Sequence, residues 1–222
     1  MQKLELHSPL RVLCLGAHAD DIEIGCGGTL LQLAREQPDL SCDWVVFSAT
    51  PQRAEEARAS ARRFLRGVRT CRITVLSFED GFFPYQGAEI KRYFETLKST
   101  RPDLVFTHYH QDRHQDHRLL ADLTWNTFRD HFILEYEIPK YDGDLGQPNS
   151  YVHLDAADCD AKIETLLSCF ASQRSKHWFT ADTFQALMRL RGLEAASPTR
   201  FAEGFYVRKQ ALSFRSAGPR AS

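Results

Sequence analysis

The stretch RVLCLGAHADDIEIGCGGTL, residues 11–30, decides the fold. Leu10 to Gly16 is a short, nearly unbroken apolar run, the pattern of a strand buried on both faces. A polar turn, AHADD at 17–21, follows it. Gly25 to Arg35 then reads as a helix that opens on glycines, with GCGG at 25–28 letting it lie close to the strand layer. Strand, polar turn and helix make the first half of a βαβ unit, and the chain repeats the pattern.

Further along, Cys42 to Ser48 reads as a strand and Arg53 to Arg66 as a surface helix that Gly67 ends. Strand Arg72 to Phe78 precedes helix Glu89 to Ser99, which stops before Pro102. Strand Asp103 to Tyr109, helix Asp116 to Asp130 and strand Phe132 to Ile138 complete the alternation. Strand and helix in turn mean right-handed crossovers. The expected class is therefore α/β and Rossmann-like, a mostly parallel sheet with helices on both faces. After Pro139 the pattern loosens into a loop at 141–150, a short strand at 151–154, helices near 158–170 and 180–191, and an extended segment at 202–207. No composition break marks a second domain, so 1–222 reads as one, with 216–222 expected to fray.

Composition narrows the function. Among 222 residues, 28 Lys and Arg against 29 Asp and Glu give a net charge of −1, without the basic excess of a nucleic-acid binder. No apolar run is long enough for a membrane span, and the N-terminus MQKLELHSPLRVL lacks the form of a signal peptide. The six cysteines form no CxxC pair and mostly lie in apolar runs, as small buried side chains do in a reducing cytosol. The expected location is cytoplasmic, with a small molecule as partner and an oligomer left open.

Two His/Asp clusters carry the chemistry. Four of the nine histidines, His108, His110, His114 and His117, fall within ten positions, interleaved with Asp112 and Asp116. This stretch begins where the fourth strand runs out, as AHADD begins where the first runs out. In one common doubly wound order those two strands flank the switch point, where ligands bind. Imidazole and carboxylate are zinc ligands, and a catalytic zinc keeps three protein ligands and one open position. His18 and Asp21 can converge on one ion, and His117 can supply the third ligand. Asp20 and His114 then stand free beside the metal for acid–base work, and Asp116 can hold an imidazole by hydrogen bond. The glycines do not make a dinucleotide site: the pattern is not GxGxxG, and VVFSAT at the second strand's end lacks the ribose-binding acid.

At these residues the chain resembles a known family. AHADDIEIGCGGTL looks like the N-terminal motif of the PIG-L (LmbE-like) deacetylases, usually AHPDDE followed by GCGG, and HQDRHQDH at 110–117 is similar to their second motif. The resemblance implies a zinc-dependent hydrolase on a Rossmann-like fold that removes acetyl groups from N-acetylglucosamine-type sugars. It implies zinc on His18, Asp21 and His117, with another divalent ion such as Fe²⁺ as the alternative. Asp20 would be the general base, and His114 would assist the tetrahedral intermediate and leaving amine, oriented by Asp116. Ala19 replaces the usual proline, and IE at 22–23 shifts a supporting carboxylate to Glu23. RAEEA at 53–57 resembles a helix start in relatives and would put Arg53 against substrate hydroxyl or phosphate groups. The aromatic GFFPYQG at 81–87 follows the third strand and would suit a sugar pocket.

Two other readings use the same residues. Two histidines and a carboxylate also form the facial triad of non-haem Fe(II) enzymes, although those usually sit in β-barrels. A sugar- or nucleotide-binding Rossmann-like module without turnover is the non-enzymatic reading.

Overall fold

The computed structural model describes Leu6 and residues 10–211, so the expected frayed tail at 216–222 lies outside the described residues. The strands are β1 (Arg11–Gly16), β2 (Ser41–Val46), β3 (Thr70–Val75), β4 (Leu104–His108), β5 (Phe132–Tyr136), β6 (Ser150–Leu154) and β7 (Phe201–Tyr206). The helices are α1 (Asp21–Glu36), α2 (Pro51–Phe64), α3 (Gly87–Leu97), α4 (Gln115–Thr127), α5 (Ala156–Cys169) and α6 (Ala181–Glu194). Each expected strand and helix is present, displaced by a few residues at the ends, except that α1 starts four residues early.

All seven strands share one sheet in the order β3-β2-β1-β4-β5-β7-β6. β3 through β5 run parallel, and β7 pairs antiparallel with both β5 and β6. Strand order reverses between β1 and β4, so the crevice beyond their carboxyl ends is the switch point. Period-two alternation divides the strand side chains between two cores. Val12, Cys14, Trp44, Phe106 and Tyr136 pack with side chains of α1, α2 and α5. Leu13, Leu15, Val45, Phe47, Val105 and Ile133 pack with side chains of α3 and α4 on the opposite face. Among the described residues no helix is long and apolar enough to cross a membrane.

The early start of α1 is the main departure from the sequence reading. DDIEI forms a helical first turn because Asp21 and Glu23 favour the positive end of the helix dipole. The glycines, where the sequence reading starts the helix, mark a kink instead: Cys26 has φ −142° and ψ 17°, non-helical values within the run. Beyond it the helix is capped a second time. Glu203, on β7, accepts hydrogen bonds from the Gly28 and Thr29 N–H groups at 2.8 and 2.7 Å, and from Thr29 Oγ1 at 2.6 Å. Lys162 Nζ completes the bracket, donating to Glu203 Oε1 at 2.7 Å and to the Ile24 carbonyl at 2.6 Å. The glycines serve close approach, as their spacing implies. A Cβ on Gly25 would lie 2.1 Å from Tyr136 Cδ2, and one on Gly28 2.5 Å from Leu154 Cδ1.

Candidate functional site

Both His/Asp clusters reach the switch crevice because α1 and α4 begin there. The chain leaves β1 at Gly16, turns through Ala17–Asp20 and enters α1 at Asp21, whose Oδ2 accepts the His18 N–H at 2.6 Å. It leaves β4 at His108 and enters α4 behind His114, whose Nδ1 accepts the Asp116 N–H at 3.3 Å. His108 ties the two turns together. Its Nε2 accepts the Ala17 N–H at 2.9 Å, and its ring stacks on His117 at 3.9 Å between centroids.

Three side-chain atoms meet in the crevice. His18 Nδ1 lies 3.2 Å from His117 Nε2 and 3.4 Å from Asp21 Oδ2, and the last two are 3.5 Å apart. An ion bound tetrahedrally at about 2.0–2.2 Å would space its ligands by roughly 3.3–3.6 Å, so the triangle has a cation's dimensions. The outer nitrogens agree. His18 Nε2 donates to Asp80 Oδ1 at 3.0 Å and Asp116 Oδ2 at 3.2 Å, while His117 Nδ1 donates to Asp112 Oδ2 at 2.9 Å. With its Nδ1–H committed to Asp112, His117 turns the Nε2 lone pair toward His18 Nδ1 and Asp21 Oδ2. Once His18 gives up its Nδ1 proton, two lone pairs and a carboxylate oxygen converge, an arrangement that a cation between them resolves. These residues therefore fit a divalent ion. Among the described residues, every His/Asp group close enough to hold one falls in this crevice.

The local electrostatics follow from burial and charge count. Burial opposes a charged His18, yet its hydrogen bonds to Asp116, Asp21 and Asp80 carry its pKa well above the usual value. Burial also works against the Asp21 carboxylate, but the charges of His117 and His108 hold its pKa well below the ordinary range. His117, buried and close to His108, is pushed down to about 4. A neutral His117 beside an anionic Asp21 is the protonation state that a metal requires.

Asp20 and His114 flank this triangle without joining it. Asp20 Oδ1 accepts from Arg53 Nη2 at 2.6 Å, and Oδ2 has no hydrogen-bond partner among the described residues. Burial raises the Asp20 pKa, with Arg53 pulling the other way and only partly offsetting it. The His114 ring centroid lies 4.9 Å from that of His18 and 4.6 Å from that of His117. Because its Nδ1 is an acceptor, its Nε2 carries the proton. Burial and the charge of His18 hold its pKa below 6.5, so it is a neutral donor at pH 7.

Two sequence readings need correction. The Asp116 carboxylate does not orient His114. It accepts from His18 Nε2 and from the Gly81 and Phe83 N–H groups, the latter two at 2.6 and 3.1 Å, and only its backbone N–H reaches His114. Arg53 reaches the crevice, where its Nη2 donates to Asp20. Glu23 is buried facing Ser60 and makes no hydrogen bond to His18, Asp21 or His117. Two residues given no role above prove important: Asp112, which fixes His117, and Asp80, which reaches His18 from the loop after β3. Asp112 could have been read from its place in the His/Asp cluster, but Asp80 stands in FED with no pattern around it.

Comparison with known proteins bears on this geometry at two levels. The structure resembles that of the conserved protein TT1542 from Thermus thermophilus, at a TM-score of 0.72 and 23% identity over 92% of this chain and 97% of that one. It also resembles N,N'-diacetylchitobiose deacetylase from Pyrococcus horikoshii, with TM-score 0.67 and 21% identity over 89% of this chain and 83% of that one. A third likeness, at TM-score 0.70 and 17% identity over 94% and 100% of the two chains, is to GalB, the 4-carboxy-2-hydroxymuconate hydratase from Pseudomonas putida. A deacetylase and a hydratase at similar distance show that the fold alone does not select the reaction. The sequence goes further: the family described as GlcNAc-PI de-N-acetylase (PIG-L) matches residues 13–128, just over half of the chain, a span holding both clusters. The chain therefore belongs to the PIG-L family.

Proposed function

We propose that the chain is a single-domain, metal-dependent hydrolase that removes the acetyl group from an N-acetylated amino sugar or sugar conjugate. The observation that carries this reading is the separation of roles in the crevice. Three atoms have a cation's spacing, while a carboxylate and an imidazole stand beside them unused as ligands. His18 Nδ1, Asp21 Oδ2 and His117 Nε2 would hold the ion, with Zn²⁺ the reading carried from the family. Bound there, a divalent ion would supply Lewis acidity toward water and the acetyl oxygen.

The protein's own groups then have defined tasks. Asp20 accepts the proton of the attacking water through its open oxygen, and Arg53 favours the anionic form that can do so. His114 donates Nε2–H to the oxygen on which negative charge develops, with its tautomer fixed by the Asp116 N–H. Asp20 returns the proton to the departing amine, and the products are acetate and a free amino sugar.

Relatives by fold suggest the first substrates to try, beginning with N,N'-diacetylchitobiose. Zinc-loaded protein should be incubated with N-acetyl mono- and disaccharides, nucleotide-linked N-acetyl sugars and N-acetylglucosaminides, with acetate and amine measured together. Equimolar release from one class is the expected result. Stoichiometric zinc binding with no acetate from any class would leave a binding module or another reaction in its place.

A further inference from the structure

Lys140 lies just beyond β5, outside the motifs and outside the residues 13–128 matched to the family. Its side chain is only 10% exposed, and it points into the back of the metal triangle. Nζ donates to Asp112 Oδ2 at 2.9 Å and to Asp144 Oδ2 at 2.6 Å. The same Asp112 oxygen accepts from His117 Nδ1, and Asp112 Oδ1 accepts the His114 N–H at 2.8 Å. Asp144 Oδ2 also accepts the Arg113 N–H at 2.6 Å. The result is a continuous line from His117 through Asp112 to Lys140 and Asp144, ending on the backbone beside His114.

We infer that Lys140 is a positioning residue that sets how strongly His117 holds the metal ion; the inference rests on the metal-dependent reading above. A carboxylate on the far N–H of a ligating imidazole makes that imidazole a stronger donor, to a degree that depends on its remaining negative charge. An ammonium on the same oxygen withdraws part of that charge and repels a dication directly. Asp144 opposes Lys140, so its partial neutralisation is part of the setting. Lys140 therefore keeps Asp112 in place while weakening its pull through His117. A cation less compensated by its ligands retains more charge for the acetyl oxygen. The device favours turnover over tight metal retention.

This makes a prediction of sign that a merely structural bracket does not. Zinc dissociation constants would be measured by chelator competition on the full chain, without substrate. Lys140→Met should bind zinc about tenfold more tightly than the wild type, in the range outer-sphere partners command. Asp144→Asn, which leaves Lys140 bearing on Asp112 alone, should bind more weakly by a few-fold, and Lys140→Arg should stay within about twofold. If loss of the lysine and loss of the aspartate both weaken zinc, or Lys140→Met leaves it unchanged, Lys140 is a bracket and the inference is overturned. Should Lys140→Met fail to fold, Asp144→Asn still decides, since unchanged or tighter zinc in that variant overturns the inference. Wild-type protein that bound no zinc would instead remove the reading on which the inference rests.

Discussion

Two buried carboxylates sit along α1, each paired with a cation, and the two are differently satisfied. Glu203, at the kink, has both oxygens occupied by two backbone N–H groups, the Thr29 hydroxyl and Lys162. Asp20, at the start of the helix, has Arg53 on one oxygen and, among the described residues, no partner on the other. Burial raises its pKa even against that arginine. A carboxylate with every lone pair committed has nothing left to offer a substrate. One left partly unsatisfied keeps an affinity for a proton, and that affinity is what general base catalysis uses. In the proposed reaction the same pairing of acid and cation would serve architecture in one place and chemistry in the other.

Exchanging each acid tests the contrast, and the largest effect is expected at the catalytic end. Asp20→Asn should lower kcat by about 10³-fold while zinc content and melting temperature stay near wild type. An active Asp20→Asn would make that end as structural as the other. Glu203→Ala should do the reverse, because it leaves Lys162 buried without a counter-charge and two N–H groups unpaired. Denaturant unfolding should show a loss of about 3–5 kcal/mol, with kcat per folded, metal-loaded molecule within a few-fold of wild type. A stable Glu203→Ala protein with lost activity would place Glu203 in the reaction.

The smallest effect should come from the cation beside the base. Arg53 lowers the proton affinity of Asp20, so Arg53→Met should raise it. The base acts as an anion, and activity is lost as pH falls through its pKa, so the acid limb of kcat/KM should move to higher pH. If the limb stays in place while KM rises, Arg53 contacts substrate, as the sequence reading has it.

How much of this is legible in the sequence depends on what spacing can encode. VLCLG, WVVF and DLVF announce buried parallel strands, and two His/Asp clusters at the ends of the first and fourth place the site at the switch point. The meeting of His18, Asp21 and His117 follows as well, because His18 and Asp21 share one turn and His117 lies in the first turn of a helix. Which aspartate holds which histidine does not follow. Asp112 and Asp116 both lie within five residues of His117, yet Asp112, in the turn before α4, holds His117 while Asp116, in the first turn of the helix, reaches His18. Asp80, Lys140 and Glu203 come from distant elements, and no spacing in their own segments singles them out. Spacing records neighbours along a strand end or helix face, and carries nothing about a partner arriving from elsewhere.

The second cap of α1 has a consequence for how the molecule is made. Residues 28 and 29 leave the ribosome well before the carboxylate that closes on their N–H groups, which is about 175 positions further along the chain. Lys162, the other half of the bracket, is also far downstream. The N-terminal motif can therefore take its final form only after β7 has been made and has slotted between β5 and β6. Residues 13–128, though they hold every proposed ligand and acid–base group, lack the bracket that sets the second half of α1. A nascent chain or truncated fragment of that length would carry the chemistry without the clamp that holds it in register.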